Sequence, residues 1–358
     1  MTAKHTIPLL LTLSFSPATF AQSTTPYFEM DAFLLSEPIA IDALSNNWEG
    51  EYHPDGEHQI ASIWVEAGLK KGSWSFGALY REEHQLKFSP DTADLYYTVE
   101  NDNDLTPGRH YDLDLNAYRF RGVGARLSKQ FQPSSTLQVS VGTSLFQASN
   151  LLNGNLSGSA VADTFNQYEY QFDVDYSYDE DVLFGRRGVE APTGIGLAVD
   201  LSATWEPREN LRFSANIKDL AGAIRWKDAP FTKATADSDR ITLNDNGFSQ
   251  VNPVLSGNIG SKSSYTQTLK PSADLAAAYR FNQSLYTASV KSKHYDELNL
   301  LAVGGSRKLG SGELALHYWP QIETLEAKFQ GKRFGMSIGL DNIDLSEAQA
   351  VWLSMKYH

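Results

Sequence analysis

The sequence has 358 residues, a formal net charge of −13, a pI near 5.1 and no cysteine. The lack of cysteine excludes disulfide bonds and thiolate metal sites, and the acidic balance argues against nucleic-acid binding, which needs a basic surface. A soluble chain of this length would usually form two domains, but all-β barrels of this length often form one.

Residues 1–21 have the three parts of a secretory signal peptide. Lys4 and His5 precede an apolar run from Ile7 to Phe15, and small residues then lead to Ala21. A charged start, a short apolar segment and a small-residue exit are typical of such a peptide. We therefore predict a signal peptide over residues 1–21 and one further domain over residues 22–358. No later stretch approaches the roughly 18 uninterrupted apolar residues that a membrane-spanning helix needs.

Alternating apolar and polar residues predict five strands in the first half of the chain. The predicted strands cover residues 28–34, 63–69, 74–80, 111–131 and 137–145. The long fourth strand changes parity near Gly122, which predicts a β-bulge there. Polar segments rich in Asn, Asp, Pro and Gly predict long loops over residues 37–59 and 82–110.

The second half predicts nine more strands. They cover residues 195–205, 211–217, 273–281, 286–290, 298–308, 314–318, 325–329, 334–340 and 351–357. Long polar connections are predicted over residues 150–193 and 227–266, and the first of them would gain an extra ribbon if residues 168–178 pair. Short turns at Lys71, Pro133, Pro207, Asn282, Gly310 and Gly331 separate the long loops.

Each predicted strand has one apolar and one polar face, because successive side chains point to opposite sides. Strands of about ten residues with this pattern are typical of transmembrane β-barrels, in which apolar faces contact lipid and polar faces line the lumen. The predicted fold is all-β: a transmembrane antiparallel up-and-down β-barrel of about 14 strands, with short periplasmic turns and long extracellular loops. It places the protein in the bacterial outer membrane with both termini in the periplasm. A soluble secreted β protein is the alternative.

The segment from Gly194 to Trp226 reads GIGLAVDLSATWEPRENLRFSANIKDLAGAIRW, a strand, a Pro-containing turn and a strand ending in D-L-x-G-x-I-R-W. Together with the strand number and the long outer loops, it resembles the broad group of outer-membrane barrels that includes the long-chain fatty-acid transporters. The final strand, with Tyr357 as its penultimate residue, resembles the assembly signal of outer-membrane barrels. These resemblances imply outer-membrane lipid and the outer-membrane assembly machinery as partners, and a small molecule or lipid as a possible substrate.

Twelve charged residues fall on the polar faces of the predicted strands. They could line an aqueous pore and set its selectivity, or they could pair across strands and only satisfy a polar interior. The lumen-lining candidates are Glu66, Arg81, Asp200, Arg212, Lys218, Asp274, Arg280, Lys291, Glu313, Glu326, Lys328 and Lys356.

Other patterns favour no catalytic, cofactor or metal site. Two acidic groups in predicted loops, Glu100/Asp102/Asp104 and Asp173/Asp175/Asp179/Glu180/Asp181, could bind Ca²⁺, but neither has the spacing of a calcium loop and solvated acids are the simpler interpretation. His317 near Glu313 is the one pair that suggests catalysis, and no serine stands out as a nucleophile. We predict that the protein is not an enzyme.

Aromatic residues cluster near the predicted strand ends. Such positions are typical of the girdles at the two membrane interfaces, and a portal for a sugar or a lipid is the alternative. The residues are Trp64, Trp74, Trp205, Trp226, Tyr279, Phe281, Tyr318, Trp319 and Tyr357. The sequence thus predicts a channel or transporter passing small or hydrophobic solutes through a polar lumen, or else a non-transporting surface barrel whose loops bind a partner or stabilise the envelope.

Overall fold

A computed structural model describes residues 24–238, 241–243, 249–251, 254–281 and 285–358. The predicted signal peptide lies outside these residues, and so does the predicted turn residue Asn282. The strands within them are β1 (Thr25–Ser36), β2 (His58–Lys71), β3 (Trp74–Phe88), β4 (His110–Ser134), β5 (Leu137–Thr164), β6 (Gln167–Tyr178), β7 (Thr193–Arg208), β8 (Leu211–Asp237), β9 (Ile241–Leu243), β10 (Ser249–Val251), β11 (Val254–Thr268), β12 (Ser272–Arg280), β13 (Tyr286–Tyr295), β14 (Leu298–Leu309), β15 (Gly312–Trp319), β16 (Thr324–Gln330), β17 (Phe334–Leu340) and β18 (Ala350–Tyr357).

Fourteen of these strands close into a barrel. Strands β1–β5, β7, β8 and β12–β18 pair with their neighbours in sequence order, always antiparallel, and β18 pairs with β1 to complete the ring. The closing register joins Phe28 to Tyr357 and Leu35 to Ala350. Closure leaves no sheet edge in the wall, as a barrel in lipid requires. The predicted all-β, up-and-down barrel of about 14 strands is confirmed.

Side chains alternate between the two faces of the wall as predicted. Leu275 and Phe329 point outward and are 47% and 44% exposed, whereas Glu326 and Ser337 point inward and are buried. An apolar outer surface around a closed barrel is the arrangement expected for contact with acyl chains.

The two ends of the barrel differ. Short turns such as the one at Gly72 lie at one end, called here the turn end, and β1 begins and β18 ends there because Thr25 pairs with Lys70 and Phe28 with Tyr357. The opposite end, called here the loop end, carries the longer connections between β1 and β2, β3 and β4, β5 and β7, and β8 and β12.

Several segments predicted as loops are strand. β3 continues to Phe88, β5 to Thr164 and β8 to Asp237, well beyond the predicted strand ends. On the loop-end side of β7, strand β6 pairs with both β5 and β8. On the loop-end side of β12, strand β11 pairs with β8. The β5 extension is rich in Asn, Ser and Gly, which favour loops locally, and in all three extensions a partner strand satisfies the backbone groups. The predicted bulge of β4 is present as a register shift between Arg119 and Arg121.

A helix covers part of the loop end. Helix α1 (Pro90–Glu100) begins after Ser89, whose side chain accepts a hydrogen bond from the Thr92 N–H, and Pro90 occupies its first turn. It packs against the β1–β2 connection, where Tyr52 and Tyr97 stack with ring centroids 4.4 Å apart. Short 3₁₀ helices cover Asp42–Ser45 and Pro320–Ile322. No helix in the described ranges combines the length and apolar character needed to cross a membrane.

Candidate functional site: the barrel lumen

The turn-end half of the lumen contains a polar cavity of about 490 Å³, called here the vestibule. It reaches the turn-end rim at Lys70 and His358 and extends inward to Asp31 and Trp352. Ser, Thr and Asn side chains from β3, β4, β5, β7, β8, β17 and β18 make up much of its wall: Ser75, Ser128, Ser140, Ser202, Thr204, Ser214, Asn216, Ser337 and Ser354. This lining provides hydrogen-bond donors and acceptors on nearly every side.

Charged residues of the vestibule are mostly paired between strands. The pairs with their N–O distances are Arg126–Glu66 at 3.3 Å, Lys291–Glu326 at 2.8 Å and Lys293–Asp274 at 2.8 Å, together with the close contact Lys356–Glu29. Arg126 also binds Asp200 at 2.9 Å. Because these groups neutralise one another locally, the vestibule wall is held by a network of ion pairs inside a barrel whose interior excludes most solvent.

Side chains from opposite walls meet at mid-height and fill the lumen. Phe33 on β1 stacks on Tyr295 on β13, with ring centroids 5.2 Å apart, although these strands are six positions apart around the ring. Lys218 on β8 lies over the ring of Trp64 on β2 at 5.1 Å. We call these residues, with Arg81 and Asp219, the belt.

Arg81 is the centre of the belt and is fully buried. Its guanidinium crosses from β3 to Asp219 on β8 and donates to both carboxylate oxygens, with one N–O distance of 2.7 Å, while Glu83 lies 3.7 Å away. The Phe120 and Phe146 rings flank it at 4.9 and 5.4 Å. Asp219 has φ +54°, and β8 changes partners beside it, from β12 to β11 on one side. The left-handed backbone aims this carboxylate into the lumen, where the cation–π contacts and the ion pair share one guanidinium.

Toward the loop end the interior contains two apolar clusters, with buried polar residues such as Glu83, Gln85 and Gln267 nearby. One cluster contains Phe33, Tyr295, Trp319 and Trp352, and a second, on the opposite wall, contains Phe120, Phe146, Ile224 and Trp226. Glycine makes room for these rings: a Cβ at Gly196 would lie 2.2 Å from the Phe146 ring. The interior therefore differs from the predicted wholly polar lumen. The period-two pattern specifies which residues face inward but not how large apolar residues are distributed along the barrel axis.

The twelve predicted residues fall into three groups. Six line the vestibule: Glu66, Asp274, Lys291, Glu326, Lys328 and Lys356. Arg81, Asp200 and Lys218 are at or next to the belt. The other three, Arg212, Arg280 and Glu313, are exposed near the turn-end tips of their strands, where Arg212 lies 3.6 Å from Glu206 and Glu313 contacts Ser306.

Several lumen residues were missed by the sequence patterns. Glu29 and Asp31 alternate with apolar residues in β1, and Lys293 lies two residues after Lys291 on the same face of β13, so parity alone could have identified them. Asp219 could not be found this way, because its role depends on a bulge and on a partner that closure of the ring brings near.

His317 contacts Ser289 and Glu326, not the expected Glu313. Its Nε2 lies 2.8 Å from the Ser289 hydroxyl, while its Nδ1 lies 3.7 Å from Glu326, too far for a hydrogen bond. Lys291 and the Trp319 indole N–H bind that carboxylate instead. The carboxylate therefore does not orient the imidazole as a general base.

Three acidic residues of the second predicted group bind other residues of this chain. Asp179 pairs with Arg119 at 2.8 Å, Asp175 with Lys233 at 3.2 Å, and Asp181 accepts the Phe184 N–H at 3.0 Å. Within the described residues no group of three or more His, Asp or Glu side chains is arranged to hold a metal ion.

The predicted aromatic girdle is only partly present. Trp74, Trp205, Tyr279, Phe281, Tyr318 and Tyr357 are exposed on the outer face. In contrast, Trp64, Trp226 and Trp319 are buried inside the barrel. The prediction was wrong for these three because position near a strand end does not reveal which face a side chain occupies.

A family model described as a family of unknown function (DUF5723) matches residues 52–318. Among solved structures, this chain is similar to the toluene transporter TodX of P. putida, with 11% identity over 96% of this chain and 89% of that one and a TM-score of 0.38. It is also similar to a TodX deltaS2S3 mutant monoaromatic hydrocarbon channel (13%, 97% and 92%, 0.44) and to the CymD monoaromatic hydrocarbon channel (8%, 93% and 87%, 0.42). No curated protein sequence matches this chain.

Proposed function

The chain belongs to the family of unknown function DUF5723, and from its barrel we propose that it is an outer-membrane channel or transporter for small solutes. The observation that carries this proposal is the vestibule, a polar cavity that reaches the turn-end rim and is closed inward by side chains of the belt. The belt consists of side chains and not of a separate plug domain, so rearrangement of those side chains would be enough to open the lumen. The belt therefore supports a closed state of a passage.

The same proposal assigns an orientation and partners. Short turns belong on the periplasmic side of outer-membrane barrels, so the turn end, with both termini and the vestibule, faces the periplasm. The apolar outer face contacts outer-membrane lipid, and the β18 strand engages the assembly machinery. The aromatic clusters toward the loop end would offer apolar contacts to a hydrophobic solute once their side chains moved apart.

Planar-bilayer recording tests the proposal. We expect discrete conductance steps from the purified protein. The Phe33→Ala/Tyr295→Ala variant should give steps of larger amplitude or longer duration, because it removes the stacked rings across the lumen without leaving an unpaired charge. Phe76→Ala, which truncates a side chain 60% exposed on the outer face, is the matched control and leaves the steps unchanged.

A non-transporting surface barrel is the second candidate. The buried Arg81–Asp219 pair favours it, because an ion pair that joins strands four positions apart across the lumen is costly to break and would make the barrel rigid. Silence of both the native protein and the Phe33→Ala/Tyr295→Ala variant, with both shown to be folded, would contradict the channel and support this candidate.

A further inference from the structure

We propose that the vestibule binds a small oxyanion, a carboxylate or a phosphate, through Lys328. This inference rests on the proposed function and adds to it the charge of the solute. The argument starts from the charges of the vestibule wall, four pairs of which are mutually neutralised: Glu29–Lys356, Glu66–Arg126, Asp274–Lys293 and Glu326–Lys291.

Lys328 lines the same cavity and has no ion pair or hydrogen bond with any residue in the described part of the chain. Lys70, the other lysine of the wall outside the four pairs, lies at the rim, where it donates to Gln130 at 3.4 Å. Lys328 is thus a cation inside the barrel whose three N–H donors have no protein acceptor there. Such a group is costly to keep ionised unless a ligand or water supplies the acceptors.

The charges around Lys328 are mainly positive. Lys291, Lys356 and Arg212 act on it as like charges, and Glu326 is the opposing carboxylate. Glu326 already accepts two hydrogen bonds from Lys291. Lys291 and Lys356 are themselves paired, so the excess is one charge: the side chains that line the cavity include six lysines and arginines and five carboxylates. One uncompensated cation in a partly dry cavity attracts an anion more strongly than it would in water.

The remaining unpaired acid of the wall does not cancel this excess. Asp31 lies deeper, beside the belt, and the charges acting on it are Lys218, Lys293 and Lys356. Lys293 and Lys356 also pair with Asp274 and Glu29, whereas Lys218 has no carboxylate bound among the described residues, so Lys218 is the cation that balances Asp31. The mouth of the vestibule keeps a net positive character around Lys328.

The neighbours of Lys328 leave room for an oxyanion. Ala315 and Ser337, the residues paired with it on β15 and β17, are both small. The Ser337 hydroxyl exchanges a hydrogen bond with Ser354 at 2.7 Å, so one of these hydroxyls can also donate to a ligand. An ammonium with adjacent hydroxyl donors is a common way to bind carboxylate or phosphate oxygens.

Isothermal titration of the detergent-solubilised full chain with inorganic phosphate, at fixed ionic strength, tests the inference. We expect saturable binding by the native protein and roughly tenfold weaker binding by Lys328→Gln, the order of effect of one charge in a partly buried site. Lys328→Arg keeps the charge and retains most of the affinity. Lys332→Gln removes a lysine from the exposed turn four residues further on and serves as the matched control.

Equal phosphate affinity of the native protein and Lys328→Gln would overturn the inference, as would the absence of binding to the native protein. Circular dichroism and heat-modifiable migration show whether each variant is folded. Titration does not depend on conduction. A barrel that shows no conductance but binds phosphate through Lys328 therefore refutes the channel and supports the oxyanion site. A barrel that conducts but binds phosphate equally well with and without Lys328 refutes only the proposed oxyanion site.

Discussion

The buried Arg81 guanidinium obtains its ion-pair partner only because the barrel closes. Arg81→Met leaves the Asp219 and Glu83 carboxylates buried without their cation, and we expect it to lower the free energy of unfolding by about 3–5 kcal/mol. Asp219→Asn keeps the shape and tolerates the left-handed backbone. The double variant should therefore recover part of the loss, giving a favourable coupling energy between the two sites. Equilibrium unfolding in lipid vesicles measures all four proteins.

The matched control for Arg81 is Arg121, which binds Glu82 at 3.2 Å on a partly exposed face. Arg121→Met should cost no more than about 1 kcal/mol, because exposed ion pairs contribute little. Similar costs for both arginines would contradict the role given to the belt. Sequence parity placed Arg81 inside the barrel, but it could not supply Asp219, which lies 138 residues later and meets Arg81 only after closure.

Among the connections, the one between β1 and β2 carries a pH-dependent anchor. Burial acts to raise the pKa of Glu37, but hydrogen bonds from the His58 imidazole and the Glu57 N–H outweigh it, so this pKa lies below its ordinary value of 4.5. The fold thus favours the ionised carboxylate. Its stabilising effect is fully present above the pKa of the unfolded chain and is lost as the pH falls through the lower folded value.

We expect hydrogen-exchange protection of the Glu57 and His58 amides to fall in the native protein as the pH drops below about 4.5. Glu37→Gln should show low protection already at neutral pH and little further change on acidification. Glu51→Gln, at an exposed position of the same connection, is the control and should behave as the native protein does. Unchanged protection in Glu37→Gln would exclude the anchor.

The elements were predictable to different degrees for physical reasons. Strands inside the membrane were found because lipid on one side and a lumen on the other impose strict alternation. The extensions of β5 and β8 were not, because many of the side chains that they bury are small, such as Ala160, Ala162 and Ala234, and give little apolar alternation. Packing and pairing against other strands hold these extensions in place. Helix α1 was missed although its start carries a signal, since Ser89 followed by Pro90 and Asp91 is a common helix N-terminus.

Over the whole molecule, the two halves of the lumen give the barrel a direction. The polar vestibule lies at the turn end, and two clusters of large aromatic residues extend from the belt toward the loop end, where Glu83 and Gln267 are also buried. The sequence predicted the closed wall and many of its inward residues, since both follow from period-two alternation. It could not predict the axial separation, because that depends on the stagger of strands that are far apart in the chain.

The outward face makes a prediction about depth in the bilayer. Leu316 lies in the middle of β15 and is 50% exposed, and Leu309 lies at the turn-end tip of β14 with similar exposure. Lysine at the bilayer midplane costs about 2–4 kcal/mol, and near an interface about 0–1 kcal/mol. We expect Leu316→Lys to lower the free energy of unfolding in vesicles by the larger amount and Leu309→Lys by the smaller. Equal costs at the two positions would mean that the middle of this wall does not contact acyl chains, and the barrel would then need another environment for its apolar surface.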